Sequence, residues 1–291
     1  MPTLEPYIDA HCHVWTPDVD HYPLGRGFTV KDMKPRSFTA QELLATCRPS
    51  GVGRVNLIQM SFYVGSGQGS ELDNRYMLDM IRLYNDRFVG TAIVDPLADD
   101  PGKAMRELRP RGVRAFRIQP RYSKQPPEKW LEPAGYRAMF ATAAETGQAL
   151  SCLIDPAGFG EVDRMCQRYP KTKVIIDHLG RIGVDGTIRD ADVDALCALA
   201  KHPNLFIKVG AFYALGKKTP PYLDLAPLIQ RVVKAFGSRR CMWGSDCPFQ
   251  VESHRYDDSI ALIRDRLGFL SKDDRDWLLR RTAEQTLFWK S

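Results

Sequence analysis

The chain has 291 residues, 44% of them apolar, with 41 basic against 35 acidic side chains for a formal charge of +6. That is enough apolar matter for a sizeable core, and no run approaches the ~18 apolar residues of a membrane span. The charge excess is mild and unclustered, which argues against a nucleic-acid partner and suits an anionic small molecule, and seven scattered cysteines without a CxxC pair, behind an N-terminus "MPTLEPYIDA" unlike a signal peptide, lead us to expect a soluble cytoplasmic protein.

Short apolar strands alternate with helical patterns along the chain. Residues 7–12 "YIDAHC" read as a first strand, and Thr39 with Glu42 in "TAQELLATC" forms a capping box opening a helix that ends before Gly51. A second strand, 54–60, precedes "SELDNRYMLDMIRLYNDR", which places Leu72, Tyr76, Met80 and Leu83 near one helix face. Strands at 88–94, 113–118 and 149–154 follow, the last after "YRAMFATAAETG", whose Gly147 is a natural helix stop. Strands at 173–177, 204–209 and 240–245 then alternate with "GEVDRMCQRYP", "DADVDALCALAKHP" and "LAPLIQRVVKAFG", and two helices close the chain. Alternation implies parallel pairing, and eight units in this length predict one (β/α)8 TIM barrel over residues 1–291. An open doubly wound sheet fits less well, because no GxGxxG or phosphate-binding loop follows the first strand.

In such a barrel the working groups sit where strands end. On a strand, residues i and i+2 face the same way, so His11 and His13 converge while Cys12 and Val14 face the other side. Two imidazoles aimed at one point suit a metal or a polarised substrate oxygen. The fourth strand leads to Arg117 and Arg121, the sixth to Asp177, His178 and Arg181, the seventh to Lys208 and Tyr213, and the eighth to Asp246. Each has a plainer reading. Asp246 in "GSDCP" could cap the next helix, and His178 could be oriented by Asp177 without touching substrate. The three arginines form either a carboxylate clamp or surface salt bridges. Lys208 on an apolar strand needs a partner if buried, and Tyr63 is a further candidate for substrate contact. The loops at 16–37 and 121–132 are expected to shape the pocket.

The HxH of the first strand, "DHLG" of the sixth and "GSDCP" of the eighth together resemble the amidohydrolase superfamily. More narrowly they are similar to the amidohydrolase 2 branch that holds 2-pyrone-4,6-dicarboxylate lactonase and sugar-lactone hydrolases. "QMSFYVGSG…LDNRYMLDMI" also looks like that group's second unit. The resemblance spans nearly the whole chain and implies a distorted barrel with hydrolytic or decarboxylating chemistry. Metal-dependent members add a histidine at strand five, whereas here that strand reads "LSCLIDPAG", with none. This departure points away from the decarboxylases and the two-metal hydrolases. It points toward the lactonase branch, some of whose members work without metal.

The expected activity is therefore hydrolysis of a small, carboxylated lactone. Asp246 would activate water, and His178 with His11 and His13 would polarise the carbonyl. Alternatively His11, His13 and Asp246 would hold one divalent ion, zinc, with His178 then helping to bind the substrate. Arg117, Arg121, Arg181, Tyr63, Tyr213 and Lys208 are the substrate-binding candidates. Two other readings stay open: a metal-dependent nonoxidative decarboxylase of an aromatic or muconate-type acid, and a non-catalytic binding barrel. The expected partner is a small anionic molecule, with no nucleic acid and no membrane; oligomeric state is not legible.

Overall fold

A computed structural model describes residues 6–64 and 73–289. Eight strands pair in parallel in chain order: Tyr7–Cys12 (β1), Val52–Ile58 (β2), Phe88–Ala92 (β3), Val113–Ile118 (β4), Ala149–Cys152 (β5), Lys173–Ile176 (β6), Leu205–Gly210 (β7) and Cys241–Gly244 (β8). Just beyond β8 the chain returns to β1: Asp246 N–H donates to His11 O, and His13 N–H donates to Cys247 O, each at 2.8 Å. Chain-order pairing with that return makes a barrel, where an open doubly wound sheet would reverse its strand order.

Around it run α1 (Ala40–Cys47), α2 (Ser61–Val64), α3 (Arg75–Leu83), α4 (Pro101–Leu108), α5 (Ala134–Thr146), α6 (Phe159–Arg168), α7 (Asp190–Ala198) and α8 (Ala226–Phe236). Local signals act where the sequence places them. Thr39 N–H donates to the Glu42 carboxylate at 2.6 Å, and Glu42 N–H donates back to the Thr39 hydroxyl at 3.3 Å. Gly147 ends α5 with φ 74°. On α3 the buried stripe passes through Tyr76, Met77, Leu78 and Ile81 with Met80 packed beside it, whereas Leu83 turns outward at 62% exposure and departs from the face expected of it. Leu72 and the "GSG" of the second unit lie outside the described residues.

Strict alternation along β1 does not hold. Between Asp9 and Cys12 three steps of β1 span two steps of β2, since Asp9 pairs with Val55 and Cys12 with Leu57. Asp9 leaves the barrel to accept from Tyr256 O–H at 2.6 Å and from Ser245 N–H at 3.0 Å. Ile8 and Ala10 instead join Val89, Ala115, Ala149, Ile175 and Met242 in an apolar layer, covered by Ala283 and Leu287 of the last helix. This layer is the floor on which the polar residues stand. None of the seven cysteines forms a disulfide, and no helix among the described residues is long and apolar enough to cross a membrane.

Candidate active site

Above that floor, four side chains from two strand ends and the loop after β7 surround the Asp246 carboxylate. His13 Nε2 lies 3.1 Å and His11 Nε2 3.4 Å from Oδ1. Tyr213 O–H donates to Oδ2 at 2.6 Å, and His178 Nε2 stands 3.8 Å from it. The ring of His13 is fixed from behind, since its Nδ1 lies 2.9 Å from the Ile58 carbonyl. A carbonyl only accepts, so that nitrogen carries a proton. Asp246 does not cap the following helix, Phe249–Ser253, which is preceded by Pro248 and has no side-chain cap.

Burial works against the Asp246 charge, but His178, the hydrogen bond from His13, and His11 outweigh it and hold the carboxyl well below the usual carboxylate range. Burial also pushes His178 down to about 4, against the pull of Asp246 and Asp177. His11 is driven well below the ordinary imidazole value by burial, then by the Lys208 charge and by His178. Near neutral pH the arrangement is thus an ionised Asp246 with His11 and His178 uncharged.

The backbone that presents these groups is strained. His178, Leu179, Gly180 and Arg181 all have φ between 53° and 64°, a single left-handed turn. Each non-glycine residue there costs about 1–2 kcal/mol. Gly180 is required for a second reason: a Cβ would fall 2.3 Å from the Phe159 ring. Asp246 (φ 64°) and Ala211 (φ 55°) adopt the same conformation. Strain of this kind collects at working sites, where the surrounding packing over-determines it.

A cavity of about 350 Å³ opens over the carboxylate, lined by His13, His178, Tyr213 and Asp246 and walled by Arg117, Arg121 and Arg181. A larger hollow of about 1340 Å³ beside α4 has no histidine on its wall, so the smaller cavity is the candidate reaction centre. Arg117 is buried, with Nη2 3.8 Å from Asp177 Oδ2. Arg121 donates to Tyr122 O–H at 3.0 Å and lies over that ring, and Arg181 Nε stands 3.3 Å from Asp155.

Two candidates for substrate contact are placed elsewhere. Tyr63 is buried outside the cavity wall; its hydroxyl accepts from Thr16 N–H at 3.2 Å, and its ring packs on Phe62 and Tyr76. Lys208 is 0% exposed and lies beneath the cavity, reaching Asp177, Ser151 and His11 rather than open space. Sequence reasoning missed Ser151, which stands on β5 just where the absent histidine drew attention. It also missed Gln59, Gln119, Tyr122 and Phe249 on the cavity wall. Only the position of Ser151 on an inward strand face could have marked it.

By residue type the cluster resembles a metal centre: ligand-type atoms of His11, His178 and Asp246 lie within 4.8 Å of one another. A barrel with imidazoles and one aspartate gathered at its strand ends is the architecture of an amidohydrolase. The amidohydrolase family model matches residues 8–289, and the chain belongs to that family. It is 26% identical to L-fucono-1,5-lactonase of Burkholderia ambifaria over 259 residues, 88% of this chain and 85% of that protein. It is 23% identical to 4-sulfomuconolactone hydrolase of Rhizobium radiobacter over 243 residues, 82% of this chain and 75% of that protein. An amidohydrolase structure from Burkholderia multivorans with bound zinc shares the fold with a TM-score of 0.79 at 18% identity, covering 98% of this chain and 99% of that one.

Proposed function

We propose that this protein hydrolyses a small carboxylated lactone, with Asp246 as general base. The observation that carries the reading is one ionised carboxylate, ringed by three imidazoles and a phenol, at the base of a cavity walled by three guanidinium groups. Relatives named for a sugar lactone and a sulfomuconolactone support the bond type. The arginines favour an anionic substrate, since guanidinium grips a carboxylate through two parallel N–H donors.

In this mechanism a water molecule attacks the ring carbonyl while an Asp246 oxygen accepts its proton. Ring N–H groups of His11 and His178 stabilise the oxyanion that forms. The ring C–O bond then breaks, and the proton passes from Asp246 to the departing alkoxide oxygen. Tyr213 holds Oδ2 in place at 2.6 Å and so orients the carboxylate toward the water.

A zinc ion held by His11, His178 and Asp246 fits the residue types but not the proton placement. A histidine ligates only through an unprotonated nitrogen. His11 Nδ1 faces the Lys208 amine at 3.2 Å, and an ammonium there donates to that nitrogen, which leaves the ring proton on the Nε2 that zinc would need. No step is therefore routed through an ion.

The deciding experiment is acid release in a pH-stat on a panel of pyrone, muconate-derived and sugar lactones, with Asp246→Asn in parallel. Acid release by the native chain alone supports the reading; carbon dioxide release without ring opening would replace it with decarboxylation. Two further outcomes are expected. Arg121→Ala should raise KM about tenfold and leave kcat within about twofold, because the clamp lies away from the reacting bond; an equal fall in kcat would place Arg121 in the chemistry. The rate should stay flat as pH falls from 7 toward 5. Asp246 is held below the usual carboxylate range and so keeps its charge, and His178, lowered to about 4, stays neutral until that pH is approached. An acid limb centred near the ordinary histidine value of about 6.5 would contradict this assignment.

A further inference from the structure

Among the described residues Lys208 is the one ammonium buried beneath the cavity, and it meets three polar neighbours. Its Nζ lies 3.0 Å from Asp177 Oδ1, 3.2 Å from Ser151 Oγ and 3.2 Å from His11 Nδ1. An ammonium has three N–H donors and no lone pair, so each neighbour must accept. The rest of the network agrees: Ser151 O–H donates onward to Asp177 Oδ1 at 2.8 Å, which leaves its oxygen free to accept from Lys208. The competing arrangement has His11 Nδ1–H donating to Asp177 Oδ1, but that pair is 3.6 Å apart, beyond hydrogen-bond range.

We propose that Lys208, held by Asp177 and Ser151, is a positioning residue that locks His11 in its Nε2–H form and so aims a ring donor into the reaction centre. The lock has two consequences, both resting on the lactonase reading for their use. The Nε2 proton makes no hydrogen bond within the protein and stands 3.4 Å from Asp246 Oδ1, so it is directed at the carboxylate beside which the oxyanion would develop. The positive charge 3.2 Å behind the ring also makes that N–H a stronger donor. The same lock removes the lone pair a metal would take. It explains how a cluster of metal-ligating residue types, on a barrel without a strand-five histidine, can serve as an oxyanion site.

The test begins with the native protein. Two-bond 15N–1H spectra of protein labelled at histidine, with the His11 signals identified by their loss in His11→Gln, report which ring nitrogen holds the proton. Nε2–H is expected at pH 7.5, and Nδ1–H would overturn the proposal without any activity measurement. Lys208→Met and Lys208→Gln are similar in size and differ in the N–H donor that only glutamine offers. With methionine the ring proton should move to Nδ1, kcat should fall about 100-fold with KM changed less than about threefold, and zinc should bind at least about tenfold more tightly than to the native chain. Glutamine should keep the Nε2–H form and recover part of kcat. A native tautomer retained in Lys208→Met, or equal rates in the two variants, would show that Lys208 serves packing alone. If no lactone is turned over by the native protein while the spectra behave as described, the substrate assignment fails and the lock stands.

Discussion

Asp246→Asn is expected to lower kcat about 10³-fold on the lactone that the native protein opens, with KM changed little. The carboxylate is the acceptor for the proton of the attacking water, and loss of a positioned general base costs about 10²–10⁴-fold. Asparagine keeps the size, and its amide oxygen can still accept from Tyr213, so the left-handed backbone at 246 and the 2.6 Å contact need not change. What disappears is the charge that His178, His13 and His11 hold in place. The amide N–H₂ would meanwhile face the His11 donor, which adds a local repulsion without altering the cavity wall. Initial rates by pH-stat across substrate concentration separate the two parameters. A variant with native kcat would remove Asp246 from the chemistry and with it the proposed reaction.

Gly210→Ala should break the site through the backbone. Gly210 ends β7 directly opposite Gly244, which ends β8, and a Cβ on Gly210 would fall 1.7 Å from the Gly244 carbonyl oxygen. No rotamer relieves a clash between a Cβ and a main-chain atom, so the two strands must part at the point that presents Asp246. Gly244 cannot retreat toward β1, because a Cβ of its own would already stand 2.8 Å from His11 Cβ. The cost is at least the roughly 1–3 kcal/mol of an overpacked core, so thermal unfolding should shift down by at least about 2–5 °C, and any folded fraction should lose most of its turnover. Gly160→Ala on α6 is the control: nothing lies within 4 Å of its Cβ, and the helix should gain about 0.5–1 kcal/mol. Equal melting temperatures for Gly210→Ala and the native protein would show that the rim can widen and that the paired glycines are not what holds the base in place.

The barrel itself was legible in the sequence because its signals are local. Strand edges marked by turn residues, the Thr39–Glu42 capping box and the Gly147 stop act within a few residues, and each appears where the pattern puts it. The convergence of His11 and His13 was legible for the same reason, since two residues apart on an extended chain look the same way. Their strand was less regular than that rule: the register shift beyond Asp9 sends its side chain out of the barrel, and alternation counted from His11 would have turned it inward. The arginines also reached the cavity because their strands end there, and position at a strand end is a property of sequence order in this fold.

What only the tertiary structure decided is which groups face one another from strands far apart in the chain. Lys208 read as a substrate contact because a polar residue near a strand end suggests one; its real neighbours are His11, Ser151 and Asp177, brought together by closure of the barrel. Tyr63 is a candidate by residue type, but its hydroxyl is taken by Thr16. The left-handed turn from His178 to Arg181 contains one glycine, too little to announce four residues of positive φ. Residue types and their places along the strands are therefore written in the sequence. Proton positions, backbone strain and the pairing of charges across the barrel are not, because each depends on distances of a few ångströms between segments that only the closed sheet brings into contact.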